Sequence, residues 1–246
     1  MRKTVFWFFL LFVFGVLGII KLMIEFFLGP FLVWFPASFF VLIFFVALYL
    51  YVAKNSRIKN ILPRNITYAK LAMVLIVFRV CFAAFKTWAQ YYVWSHDAIG
   101  KFFLGASLNP LLQEVTFAKY IPGLFANPFG YFLFYSVGRF WLNIFLVLGG
   151  AFLFYFLLRL FKRHNERFFE AGETELGLLM ALVVGWPHLI LFIFLSFVFV
   201  VFVALFRMAL GQHYTTLGIP FLLATVTVLC VGTFLLRITG FDVLTV

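Results

Sequence analysis

The sequence predicts an all-α, polytopic bundle of about seven transmembrane helices (six to eight) that forms a single integral membrane domain over residues 1–246. Hydrophobic residues make up 66% of the chain and charged residues 11%, whereas soluble domains are about half apolar and a quarter charged. The apolar residues also form several runs of roughly 20, the length that crosses about 30 Å of hydrocarbon. We therefore expect a lipid bilayer as the main partner.

Seven apolar runs predict the helices in order. They lie at about residues 5–27, 31–53, 69–90, 131–160, 175–186, 188–208 and 216–236. Gly29-Pro30 separates the first pair, because proline removes a backbone donor and glycine relaxes the turn. The first run lacks a small-x-small cleavage site, so we expect a retained anchor. Residues 91–128 form the long external connection, whose apolar patches suit the membrane interface.

Positive charge sets the expected orientation. The formal net charge is +11, but the basic residues are scattered in short segments and do not form the basic, aromatic-rich face of a nucleic-acid binder. Two basic segments, residues 54–70 and 159–170, are predicted to face the cytoplasm of a plasma-membrane protein. Their cations are Lys54, Arg57, Lys59, Arg64 and Lys70 in the first segment, and Arg159, Lys162, Arg163 and Arg167 in the second.

The run from Leu176 to Phe206 contains no formal charge and fits either one tilted helix of about 45 Å or two shorter helices. We favour two helices, broken near Gly185-Trp186-Pro187, because glycine and proline interrupt helices. Two helices return Arg207 to the cytoplasmic side.

An acidic turn, Gly172-Glu173-Thr174-Glu175, precedes this charge-free run. Three interpretations of it are open. The carboxylates complement the positive end of a helix, with Thr174 as a plausible cap. Alternatively, they present an acid to a substrate at the membrane edge, or they line an ion or proton pathway.

Several stretches together resemble the type IV prepilin leader peptidases, a family of membrane aspartic endopeptidases. They cover residues 40–225 and match the family in order and approximate spacing: the segment from Ser56 to Tyr68, Gly149-Gly150, the turn Gly172-Glu173-Thr174-Glu175, Gly185-Trp186-Pro187 and Ile219-Pro220-Phe221. The resemblance implies cleavage of leader peptides from pilin-like precursors at the cytoplasmic membrane face. It implies no cofactor.

The family's two catalytic aspartates correspond here to Ser56 and Glu175, and its second motif glycine to Thr174. A two-acid site needs paired carboxylates, which share a proton and so supply one acid and one base. The sequence has no carboxylate between Glu25 and Asp97. Glu175 is the predicted surviving acid, with Glu170 or Glu173 as a substitute partner.

Because only one of the family's two acidic positions carries a carboxylate here, three functions are open. The first is an impaired aspartic endopeptidase of the prepilin peptidase type. The second is a catalytically inactive relative that binds pilin-like or other membrane helices. The third is a small transporter whose path is lined by Arg79 and the acidic turn.

Other polar residues within the apolar runs are expected to be structural. Arg79 lies near the middle of the third run and should face the bundle, where a carbonyl or an ion pair compensates its charge. Arg139 and Asn143, one turn apart, form a polar stripe, or Arg139 reaches the outer surface together with Lys86. The four histidines share no spacing typical of metal ligands, so no metal site is predicted. Cys81 and Cys230 lie in apolar runs, which favours packing over a disulfide.

Overall fold

The computed structural model describes residues 34–53, 66–164, 169–211 and 216–244, which are almost entirely helical and contain no strand. The helices are α1 (Trp34–Ala53), α2 (Tyr68–His96), α3 (Ala98–Leu104), α4 (Pro110–Val115), α5 (Pro122–Phe125), α6 (Gly130–Ser136), α7 (Leu142–His164), α8 (Glu173–Val184), α9 (His188–Ala209) and α10 (Gly218–Thr239). A π-helical turn, Val137–Trp141, joins α6 to α7. The boundary between two compact units falls within α1 at Leu42 and Ile43, and the contacts below all belong to the second unit.

Five helices in the described part of the chain are long and apolar enough to cross a membrane. They are Trp34–Ala53, Tyr68–His96, the continuous helix Gly130–His164, His188–Ala209 and Gly218–Thr239. This supports a multi-pass membrane protein. The predicted span at residues 5–27 lies outside the described residues.

The predicted span at residues 175–186 requires a correction. The chain is helical there, but α8 has only 12 residues and therefore a length of about 18 Å, too short for about 30 Å of hydrocarbon. The described residues thus contain five candidate spans and one half-length helix in place of six full spans. Sequence hydropathy missed this because the apolar run continues unbroken past the end of α8.

Glycines with positive φ bound α8 at both ends. Gly172 has φ +92° before the helix, and Gly185 has φ +73° after it. These are backbone conformations that residues with a side chain rarely adopt. The Trp186–Pro187 peptide bond that follows is cis, and α9 begins at His188. The prediction of two helices with a break at Gly185-Trp186-Pro187 is confirmed.

The half-length helix α8 forms the centre of the bundle. Every residue from Leu176 to Val183 is buried, and α2, α7 and α10 pack around the helix. Gly177 permits the closest approach, since a Cβ there would lie 2.5 Å from Leu158 Cδ1 and 3.1 Å from Phe221 Cε2. An apolar helix enclosed on all sides does not need an amphipathic face, because protein covers its whole circumference.

The external connection begins later than expected, because α2 continues to His96. Asp97 then caps α3, with its carboxylate accepting the Gly100 N–H at 2.9 Å. The short helices α3 to α5 follow. They leave Phe102 and Ile121 exposed, which suits the interfacial placement expected for this segment.

Candidate functional site

Glu173 is the most constrained residue of the acidic turn. Its side chain is 2% exposed, and its carboxylate accepts three backbone hydrogen bonds. Oε2 accepts from Glu170 N at 3.0 Å and from Leu217 N at 3.2 Å, while Oε1 accepts from Gly218 N at 2.7 Å. Both carboxylate oxygens are therefore engaged by the backbone.

These hydrogen bonds place Glu173 at the N-terminal ends of two helices. It is the first residue of α8, and it accepts from the N-cap residue Leu217 and the first residue Gly218 of α10, a helix whose N-cap makes no side-chain hydrogen bond. An anion is favoured at such ends, where N–H groups lack partners within the helix. Burial nevertheless raises the pKa of the Glu173 carboxyl above its usual value, and the three N–H donors oppose this rise.

Glu175 has a different environment, although it lies only two residues further on. Its side chain is half-buried, and Oε2 accepts a hydrogen bond from Thr174 Oγ1 at 2.8 Å. Glu175 also lines an open cleft of about 470 Å³. The other lining residues come from the end of α1, the start of α2 and the turn before α8: Leu50, Ile66, Thr67, Tyr68, Ala69, Ala171 and Gly172.

Glu175 is the one carboxylate among the described residues that line this cleft, and Thr67 and Tyr68 line it at the start of α2. Ser56 lies outside the described residues, so its proximity to Glu175 stays a prediction. Glu170 is half-buried and contacts Glu173 through its backbone N–H.

Two tyrosines that sequence reasoning missed pack against the glycines of this region. The Tyr68 ring lies against Gly172, where an added Cβ would be 3.2 Å from Tyr68 Cδ2. Tyr51 packs against Gly218 so closely that a Cβ there would overlap its ring. The only signal in the sequence was their position near the ends of two apolar runs, at the same predicted membrane face as the acidic turn.

Arg79 interacts with the opposite end of α8. Its Nε donates to Leu182 O at 3.2 Å and its Nη2 to the same oxygen at 2.5 Å. The guanidinium also lies against Gly185, where an added Cβ would be 2.8 Å from Nη2. Of the two alternatives expected for Arg79, a carbonyl contact or an ion pair, the structure shows the carbonyl contact, at the end of a helix within the bundle.

The remaining polar residues predicted within the membrane, Arg139, Asn143 and Lys86, are half-buried or exposed. Arg139 is exposed in the π-helical turn, Asn143 is half-buried one turn later, and Lys86 Nζ lies 5.0 Å from the centre of the Phe82 ring. Cys81 and Cys230 are free and exposed. They lie on faces of α2 and α10 that point away from the bundle, and neither forms a disulfide.

Within the described ranges, no group of three His, Cys, Asp or Glu side chains is arranged to hold a metal ion. His188 instead packs against Gly232 of α10, where an added Cβ would lie 2.7 Å from the ring. In the acidic turn, Glu175 thus presents a carboxylate to the cleft, whereas both carboxylate oxygens of the buried Glu173 accept backbone hydrogen bonds. Comparison of the chain with protein-family models, with curated proteins and with solved structures finds no match in any of the three.

Proposed function

We propose that this chain binds pilin-like membrane helices at the cleft that contains Glu175, and that it does so without cleaving them by a two-acid mechanism. The observation that carries the proposal is the difference between the environments of Glu173 and Glu175. Both carboxylate oxygens of Glu173 accept backbone hydrogen bonds. Among the described residues that line the cleft, Glu175 is the only one with a carboxylate.

Hydrolysis by an aspartic mechanism requires two carboxylates that face one water molecule and exchange protons with it. Glu173 cannot take this role without losing backbone hydrogen bonds, since both of its oxygens accept from N–H groups. The polar lining residues at the start of α2, Thr67 and Tyr68, carry hydroxyls, which do not ionise near neutral pH as a carboxylate does. This supports recognition over cleavage.

The chemistry of the cleft suits a short basic segment followed by an apolar helix, the arrangement implied by the resemblance to prepilin peptidases. Glu175 complements a positive charge, and the apolar residues Leu50, Ile66 and Ala69 accommodate aliphatic side chains. The cleft adjoins the first residue of the candidate span Tyr68–His96, so a bound helix would continue into the lipid. In this proposal the chain lies in the plasma membrane, with residues 54–70 and 159–170 in the cytoplasm.

The test is binding of a synthetic peptide, a basic leader joined to an apolar helix, to the protein in lipid nanodiscs. Because Glu175 supplies a charge-assisted contact, Glu175→Gln should weaken binding about tenfold, or about 1.4 kcal/mol. Glu114→Gln, which changes an exposed carboxylate of the external connection, is the matched control and should bind as the wild type does. If Glu175→Gln binds the peptide as tightly as Glu114→Gln does, the proposal is contradicted.

Cleavage is the second candidate function, and the access of Glu175 to the cleft favours it. In that case Glu175 would act with Glu170, the half-buried carboxylate of the same turn, or with Glu173. Mass spectrometry of the same peptide after incubation distinguishes the two functions. A leader fragment produced by the wild type and absent with Glu175→Gln would establish hydrolysis and replace the binding proposal.

A further inference from the structure

A second groove lies at the surface of the bundle, between α7, α9 and the start of α10. Its volume is about 430 Å³, within the range of about 300–1,000 Å³ that is typical of ligand sites. On α7 it is lined by Phe154, Leu158, Phe161 and His164. These residues form one stripe along about 15 Å of helix, which is half the thickness of the hydrocarbon core.

The interior of this groove is apolar. Phe154, Leu158 and Phe221 are buried at its base, whereas Phe161 and Phe197 are about half exposed at its rim. Ser196 lines the groove too, but its hydroxyl donates to Phe192 O at 2.7 Å within α9. The walls therefore offer contact to a hydrocarbon chain and no polar group that requires a ligand.

One end of the groove adjoins the basic last turn of α7, of which His164 lines the groove itself. The last turn of α7 carries Lys162, Arg163 and His164, with Arg159 one turn earlier, and residues 142–164 contain no acid. The continuous helix Gly130–His164 has 35 residues and a length of about 52 Å, so it extends beyond about 30 Å of hydrocarbon. The helix is therefore long enough for its last turn to lie at the depth of the lipid phosphates.

We propose that this groove holds an anionic phospholipid of the cytoplasmic leaflet. One acyl chain lies along the stripe from Phe154 to Phe161, and the phosphate lies at the basic last turn formed by Lys162, Arg163 and His164. The apolar stripe from Phe154 to Phe161, followed by the basic last turn of α7, matches the two parts of such a lipid.

The site has a structural consequence for α8. Phe154, Phe192 and Phe221 contact one another with ring centres 5.7 to 6.3 Å apart. Two of these rings also approach Gly177 in the second turn of α8. An acyl chain in the groove therefore supports the side chains that pack against the helix bearing the acidic turn. The inference does not depend on the function proposed above.

Native mass spectrometry of the detergent-solubilised protein tests this site with two probes that share their acyl chains, dioleoyl phosphatidylglycerol and dioleoyl phosphatidylcholine. We expect the wild type to retain the anionic lipid about tenfold more than the zwitterionic one, because two cations and a histidine adjoin the phosphate. The double variant Lys162→Gln/Arg163→Gln should lose this preference. Lys101→Gln/Lys119→Gln, which removes two exposed cations of the external connection, is the control and should keep it.

The acyl contribution requires a separate variant. Val200→Trp fills the groove and should reduce retention of both lipids, and Ser196→Phe provides a second filling variant if the first does not fold. Equal retention of the two lipids by the wild type overturns the proposal. An equal preference for the anionic lipid in the two double variants overturns it as well. Binding of glycerol phosphate as tight as that of the intact lipid overturns the assignment of the groove to an acyl chain.

Discussion

Arg79 and Leu182 are joined by two hydrogen bonds from one guanidinium to one carbonyl oxygen, although 103 residues separate them in the chain. Leu182 lies in the last turn of α8, where carbonyl groups have no partner within the helix. Glu173 occupies the first turn of the same helix. The half-length helix thus has a carboxylate at its positive end and a cation at its negative end, the favourable arrangement for its dipole.

The first prediction concerns the loss of the cation. Arg79→Met removes both hydrogen bonds and leaves the Leu182 carbonyl without its partner in the interior of the bundle. We expect the free energy of unfolding to fall by about 2 kcal/mol, equivalent to about 5 °C in Tm. Thermal unfolding in detergent, followed by tryptophan fluorescence, measures the effect.

Lys86→Met is the matched control, since it removes another cation from the same helix. Lys86 lies over the Phe82 ring, and such a cation–π interaction is worth about 0.5–1 kcal/mol at exposed sites. A Tm for Arg79→Met that equals that of Lys86→Met would contradict the role assigned to Arg79.

The second prediction separates the two carboxylates of the acidic turn by stability. Glu173→Gln retains one oxygen but turns an NH2 group toward backbone donors, so at least one N–H loses its acceptor. We expect a loss of about 1–3 kcal/mol. Glu175→Gln should stay within about 0.5 kcal/mol of the wild type, because Glu175 is half-buried beside an open cleft. Urea or thermal unfolding that ranks the variants in the reverse order would refute this assignment.

The third prediction is a pH dependence caused by Glu173. Burial raises the pKa of its carboxyl in the folded state above the unfolded value of about 4.3. Between these two pKa values the folded state binds more protons than the unfolded state, so stability falls as pH rises. This contribution is fully present below the unfolded pKa and is lost once pH exceeds the folded pKa.

Measuring Tm from pH 4 to pH 8 for the wild type and for Glu173→Gln isolates this contribution. The Tm difference between them should narrow as pH rises from about 4 and then become constant, since the variant has no titrating group at this position. A difference that widens with pH would indicate a lowered pKa in the folded state and would contradict the burial argument.

The sequence was sufficient to predict the helical class, the membrane and most helix positions, because roughly 20-residue apolar runs are long-range signals that do not depend on neighbours. The predicted helix at residues 188–208 agrees with His188–Ala209 to within a residue. The break before it was also predictable, since glycine and proline act locally.

The roles of individual carboxylates were less accessible. Whether Glu173 or Glu175 faces the bundle depends on where α10 begins, about 45 residues later. It also depends on the N-terminus of α10, whose N-cap residue makes no side-chain hydrogen bond. Likewise, the sequence predicted a carbonyl or an ion-pair partner for Arg79, but only tertiary packing could select the Leu182 carbonyl. The short length of α8 was hidden because hydropathy does not distinguish a helix buried in protein from one that faces lipid.

The fourth prediction concerns the glycine that ends α8. Gly185 has φ +73° and ψ 176°, a combination essentially restricted to glycine, and a Cβ there would approach Arg79 Nη2 to 2.8 Å. Gly185→Ala should therefore cost about 1–3 kcal/mol of unfolding free energy through backbone strain and displacement of the guanidinium. Gly149→Ala, in the interior of α7 with open space at its Cβ, should instead be neutral or stabilise by up to about 1 kcal/mol. If Gly185→Ala were as stable as Gly149→Ala in thermal unfolding, the turn after α8 would tolerate a side chain. The hydrogen bonds from Arg79 to Leu182 would then not depend on the glycine at position 185.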